Sequence, residues 1–114
     1  MHILEKYIAA IAANDTDKVA ECFCEDGLFD DTAPVPLGGE RAYVQGRENI
    51  RAAFKINFNG ESGTVVPKML SLHGNTMDYD AIAGLSGEIY IPCTGTAILE
   101  DGLIKEYYVR PRKK

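Results

Sequence analysis

A chain of 114 residues is the size of one domain and leaves no room for a second independent core, and 46% hydrophobic with 25% charged residues excludes a disordered chain. Seventeen acidic against twelve basic residues leave a net charge of −5, which repels a phosphate backbone and argues against nucleic acid as a partner. Three cysteines, Cys22, Cys24 and Cys93, fit a reduced, cytoplasmic protein; no apolar run approaches the roughly 20 residues of a membrane span, and the first residues lack the apolar core of a signal peptide.

Leu4, Tyr7, Ile8, Ile11 and Ala12 recur at i, i+3, i+4, i+7 and i+8, one apolar stripe that predicts a helix over residues 3–13. Asp15 can cap a second short helix whose inner face is Val19, Cys22 and Phe23. Glu25 and Asp26 read as a solvated turn, and Gly27 to Asp31 as a short strand ending in two acids. Residues 32–45 contain Pro34, Pro36, Gly38 and Gly39, so a long loop is expected there, more mobile than the sheet and bordering a pocket mouth as a lid. Gly46 then precedes a third helix, in which Ile50, Ala53 and Phe54 share one face.

From residue 63 the pattern becomes strands separated by turns, over residues 64–73, 76–83, 88–99 and 103–110, which makes an antiparallel meander. Glu100-Asp101-Gly102 marks its last hairpin. Helices first and strands later give an α+β fold. Apolar residues on both faces of the later strands, such as Ile89 and Ile91 against Tyr90, need cover on both sides and point to a two-fold homodimer.

Tyr7 to Asp15, Val19, Phe23, the acidic turn, Phe29-Asp30-Asp31 and Gly46 to Phe54 with its Ile50 together resemble the nuclear transport factor 2-like superfamily, which includes ketosteroid isomerases and SnoaL-type polyketide cyclases. The resemblance takes in nearly all of residues 1–114 as one domain, the strand half matching in arrangement only. It implies a cone-shaped, cystatin-like fold, a curved antiparallel sheet with N-terminal helices closing one face around a pocket. The fold hosts many chemistries and many non-enzymes. In the isomerases an aspartate ending the first strand moves a proton, while a first-helix tyrosine and a protonated carboxylic acid hold the enolate oxygen. Carried over, the resemblance implies Asp31 as general base and Tyr7 as hydrogen-bond donor; side chains alternate along a strand, so Asp30 faces the other way. The acid's position falls on Thr94, a weaker donor and a secondary polar contact, and Phe54 stands where a tyrosine commonly supports the donor. Those departures count against steroid isomerisation. Phe23, Phe54, Met69, Tyr107 and Val109 supply the apolar wall.

The same residues have plainer readings. Asp31 could bond its own backbone as a turn former, and Tyr7 could be core with its hydroxyl tied to a neighbour. His73 reads as an exposed strand end and His2 as part of a mobile terminus, so no metal pair is expected, and no phosphate loop or dinucleotide fingerprint points to a cofactor. Cys22 and Cys93 read as small core hydrophobes, and Arg110, Arg112, Lys113 and Lys114 as a frayed tail. The function expected is cofactor-free acid–base chemistry on a small apolar carbonyl compound; the alternative is a non-catalytic ligand-binding or dimerisation module.

Overall fold

The helical half forms because each helix is capped and one-sided. In the computed structural model, which describes residues 1–59, 67–83 and 89–112 (without the side chains of residues 57–59, 82, 83 and 89), α1 (Ile3–Ala12) starts at His2. The His2 ring Nδ1 accepts the Leu4 N–H at 3.0 Å, and Glu5 Oε1 accepts the His2 N–H at 2.9 Å, a reciprocal cap. His2 also meets Asn75 Oδ1 at 3.1 Å, so the start of the chain is pinned where a mobile terminus was expected. Leu4, Tyr7, Ile8 and Ile11 are buried as the stripe requires, with Ala10 inside in place of Ala12. Asp15 Oδ1 accepts the Lys18 N–H at 3.1 Å and opens α2 (Thr16–Glu21).

The strands are β1 (Phe23–Asp31), β2 (Ala42–Gln45), β3 (Lys68–His73), β4 (Thr76–Ala83), β5 (Ile89–Glu100) and β6 (Leu103–Pro111), with α3 (Arg47–Asn59) between β2 and β3. They form one curved, unclosed sheet in the order β2-β1-β6-β5-β4-β3, antiparallel at every pairing except β1 with β6. The β5–β6 hairpin turns through Asp101 and Gly102 at φ 53° and 80°, both left-handed, as a two-residue turn of the twist-matching kind requires. Expected strand residues 64–66 and 88 lie outside the described residues.

Three sequence expectations are corrected. Glu25 and Asp26 lie within β1, at the irregularity between Phe23 and Leu28, where Asp26 pairs with Lys105. The proline- and glycine-bearing stretch is only partly a loop: Val35–Leu37 is a 3-10 turn, and Ala42–Gln45 pairs with Leu28–Asp31 as an edge strand. Arg110 and Arg112, expected in a frayed tail, are anchored. Arg110 binds Asp30, and Arg112 donates to Asp80 Oδ1 at 2.8 Å and to the Tyr79 and Cys93 carbonyls at 3.1 and 3.2 Å. Lys113 and Lys114 lie outside the described residues.

Inside, Tyr7 of α1 meets Phe23 of β1, Phe54 of α3 and Tyr107 of β6 edge to face, at ring separations of 5.9, 6.2 and 5.0 Å. Leu4, Val19, Ile50, Met77, Ile104 and Val109 complete the fully buried centre. No helix among the described residues is long and apolar enough to cross a membrane.

Candidate active site

Alternation along β1 sends its two terminal acids to opposite faces. Asp30, 3% exposed, points outward and is held by Arg41 (Nε to Oδ1 2.9 Å, Nη2 to Oδ2 2.8 Å) and by Arg110 at 3.1 Å. The Arg41 bonds first, then Arg110, bring its pKa down to about 2. Because folding lowers this pKa, the stabilisation is complete above the unfolded-chain value of about 3.9 and fades as pH falls toward about 2. Both arginines are half-exposed, so Asp30→Asn is expected to cost only about 1–2 kcal/mol at pH 7. Urea unfolding of both proteins at pH 7 and near pH 2 checks this, since the difference should disappear in acid.

Asp31 points inward into a cavity of about 290 Å³ between helices and sheet, lined also by Tyr7, Ile11, Phe29, Phe54, Tyr79, Cys93 and the rim residues Ala33, Pro34, Glu40 and Ala42. Of the stretch expected as a loop, Ala33, Pro34, Glu40 and Ala42 line this cavity. Asp31 Oδ1 accepts the Ala33 N–H at 2.9 Å, so the turn-former reading holds for one oxygen, and no hydrogen bond from the described residues engages the other. Burial raises the Asp31 pKa and the Asp30 charge adds to it, while the Ala33 N–H and Arg110 oppose. Tyr7, 1% exposed, has its pKa pushed well up, by burial first and then by Tyr107 and Asp31, so its phenol stays a neutral donor. Asp31 acts on it through charge and not through a hydrogen bond.

No family model and no curated protein matches the chain in sequence. Solved structures do match in shape. A candidate polyketide cyclase from Sinorhizobium meliloti superposes with a TM-score of 0.69 at 22% identity, over 95% of this chain and 93% of that one. An NTF2-like protein of unknown function from Cytophaga hutchinsonii gives 0.67 at 16%, over 96% and 87%. A protein with a ketosteroid isomerase-like fold from Catenulispora acidiphila, solved with trimethylamine, gives 0.72 at 16%, over 95% and 83%. The chain has the nuclear transport factor 2-like fold. Identities this low establish the architecture and leave the reaction to be argued from the site.

Within that nuclear transport factor 2-like frame, Asp31, Tyr7 and Phe54 share the cavity, and the other expected site residues do not line it. Thr94 faces the outer side, its Oγ1 donating to Asp78 Oδ1 at 2.7 Å, because its neighbour Cys93 takes the inward position opposite Tyr79. Phe23, Tyr107 and Val109 are fully buried core behind the lining, and Met69 is partly buried beside it, paired in register with Tyr79. Tyr79, Phe29, Ile11, Ala81, Ile91 and Cys93 are among the lining residues that sequence reading missed. The alternation Met77-Asp78-Tyr79-Asp80-Ala81 contained the signal for Tyr79, since its two aspartates mark the outward face.

Cys93, its Sγ near the Ile91 carbonyl, has its pKa pushed up to about 12, mainly by burial, and is therefore a poor nucleophile. Cys22 is likewise buried. Among the described residues no three His, Cys, Asp or Glu side chains converge as a metal site would need. A second, larger depression of about 490 Å³ lies outside α1 and α2; it holds Lys6, Lys18 and Glu21 and no aromatic residue.

Proposed function

We propose that the cavity takes a small, mostly apolar carbonyl compound and moves a proton at the carbon next to its carbonyl. The observation that carries this reading is the inward Asp31 carboxyl, half-tied and raised in pKa, in an apolar cavity that it shares with the Tyr7 phenol. Asp31 would take the α-proton through its untied oxygen while the C–H electron pair moves to the carbonyl oxygen. Tyr7 would donate a hydrogen bond to that oxygen as it becomes an enolate, and the acid formed on Asp31 would return the proton. A volume of about 290 Å³ is at the small end of ligand pockets, about 300–1,000 Å³, which favours a compact substrate.

The test is deuterium uptake at the α-carbon of small cyclic ketones, followed by proton NMR. Uptake that is catalysed by the wild type and slowed by Tyr7→Phe supports the reading. Ketones that bind saturably in the cavity without any catalysed uptake would leave the second reading, a non-catalytic binding module, which is favoured by the outward turn of Thr94 and the engagement of one Asp31 oxygen by Ala33.

We further propose that the protein is cytoplasmic, where its free cysteines stay reduced, and that it is a two-fold dimer. Tyr43, Tyr90 and Ile98 lie on the outer face of the sheet, each about half exposed, and a second copy would cover them. Light scattering at tens of micromolar should then give twice the chain mass; a monomer at that concentration counts against the dimer.

A further inference from the structure

Tyr107 Oη is fully buried and no hydrogen bond of normal geometry engages it among the described residues, although the Tyr79 hydroxyl is near enough to oppose the effect of burial on its pKa by hydrogen bonding. It has been brought there by a specific arrangement. Ala97 pairs with Tyr107 and Gly95 with Val109, so the Tyr107 phenol reaches back across β5 over Gly95, where a Cβ would stand only 2.0 Å from its oxygen. Glycine clears the path that the phenol occupies, and the path leads behind the cavity wall. On that wall Tyr79, on β4 opposite Cys93, lines the cavity with Tyr7 and Asp31, while the rings of Tyr7 and Tyr107 are 5.0 Å apart.

Two phenols, Tyr7 and Tyr79, therefore line the cavity with Asp31, and a third, Tyr107, packs against the Tyr7 ring. Their electrostatics agree. After burial, Tyr107 and then Tyr7 are the groups that most raise the Tyr79 pKa, and a hydrogen bond with Tyr79 is what opposes the burial shift of Tyr107. All three remain neutral donors, and Tyr7 and Tyr79 line the cavity in which a ligand would sit.

We propose that Tyr79 is a second hydroxyl contact for the ligand's oxygen, beside Tyr7, and that Tyr107 is a positioning residue that donates to Tyr79 once Tyr79 turns its own proton to the ligand. This rests on the carbonyl-ligand reading of the same cavity and adds to it the class of group bound: an enolate, enol or phenol oxygen that accepts from two tyrosines. It also provides the second donor that Thr94 does not supply. Tyr79 is within hydrogen-bonding reach of Tyr107, and a ligand that takes the Tyr79 proton would leave the Tyr79 oxygen to accept from Tyr107.

The probe is 4-nitrophenol, whose absorption reports both binding and the hydrogen bonding of its oxygen. Tyr79→Phe is expected to weaken it about tenfold or more, and Tyr107→Phe about threefold, in line with one direct and one indirect hydrogen bond. In the Tyr79→Phe background Tyr107→Phe should cause no further loss. Tyr107→Phe should also melt no lower than the wild type, since it removes a buried O–H that finds no well-aligned acceptor among the described residues, whereas a merely structural tyrosine would lower the melting point and leave the absorption of bound nitrophenol unchanged. The inference is overturned by unchanged affinity in Tyr107→Phe, by a loss that persists without the Tyr79 hydroxyl, or by nitrophenol that fails to saturate the protein. Ketone exchange by the wild type is measured alongside. Its absence with the tyrosine pattern intact would remove the acid–base step alone, and its presence with no tyrosine pattern would remove this inference alone.

Discussion

Asp31→Asn is expected to abolish ketone α-proton exchange, a loss on the order of 10²–10⁴ for a general base, while the folded protein becomes at least as stable as the wild type at pH 7. The two effects separate because the amide keeps the structural part of the carboxylate's work. Its oxygen can still accept the Ala33 N–H, and it fits the same space. The sign of the stability change follows from the direction of the pKa. Folding raises the Asp31 pKa, chiefly through burial, so the folded chain holds this proton more tightly than the unfolded one. That contribution is fully present below the unfolded value of about 3.9 and is lost as pH rises through the folded value. Above the folded value the wild type therefore bears an ionised carboxylate in a partly buried site, and asparagine does not. Urea unfolding at pH 7 and pH 3 should show the variant's advantage at the higher pH and its decrease at the lower. A variant that is inactive and also strongly destabilised would place Asp31 among structural residues.

Gly95→Ala is expected to be the most damaging single methyl in the sheet. The new Cβ would meet Tyr107 Oη at 2.0 Å, and the ring carbons Cζ and Cε1 at 2.6 and 2.8 Å, all inside any real contact distance. Tyr107 cannot withdraw easily, because Tyr7 and Phe29 pack against its ring at 5.0 and 6.1 Å. Overpacking of this kind costs about 3 kcal/mol, a large share of the roughly 5–15 kcal/mol that holds a domain folded. The melting temperature should fall by about 10 °C. Adding Tyr107→Phe removes the closest of the three contacts and should recover part of the loss. An alanine variant as stable as the wild type would mean that the phenol does not lie across Gly95.

Much of the architecture was legible because its signals are local. The apolar stripe of α1, the Asp15 cap and the Asp101-Gly102 turn each depend on residues within a few positions of one another. The opposite facing of Asp30 and Asp31 follows from strand alternation alone. What escaped depends on distant partners. Asp30 meets Arg41 and Arg110, 11 and 80 residues away, and nothing in the local pattern distinguishes those arginines from solvated ones. The β2 edge strand is four residues long and follows two prolines and two glycines, so its Ala42/Val44 inward alternation is too short to outweigh them. In the site, Thr94 was one residue from the inward position, and in a strand one residue reverses the face. Tyr107 was placed on the inward face but not behind Tyr79, because the depth of a side chain depends on the glycine in the neighbouring strand.

The most direct measurement is the titration of the Asp31 carboxyl by carbon-13 NMR, with Asp31→Asn used to assign its signal. A midpoint above the ordinary aspartate value of about 3.9 is expected, together with a further change when a small cyclic ketone fills the cavity. A midpoint at or below the ordinary value, insensitive to the ketone, would mean that the carboxylate is solvated and that the cavity is a binding site at most.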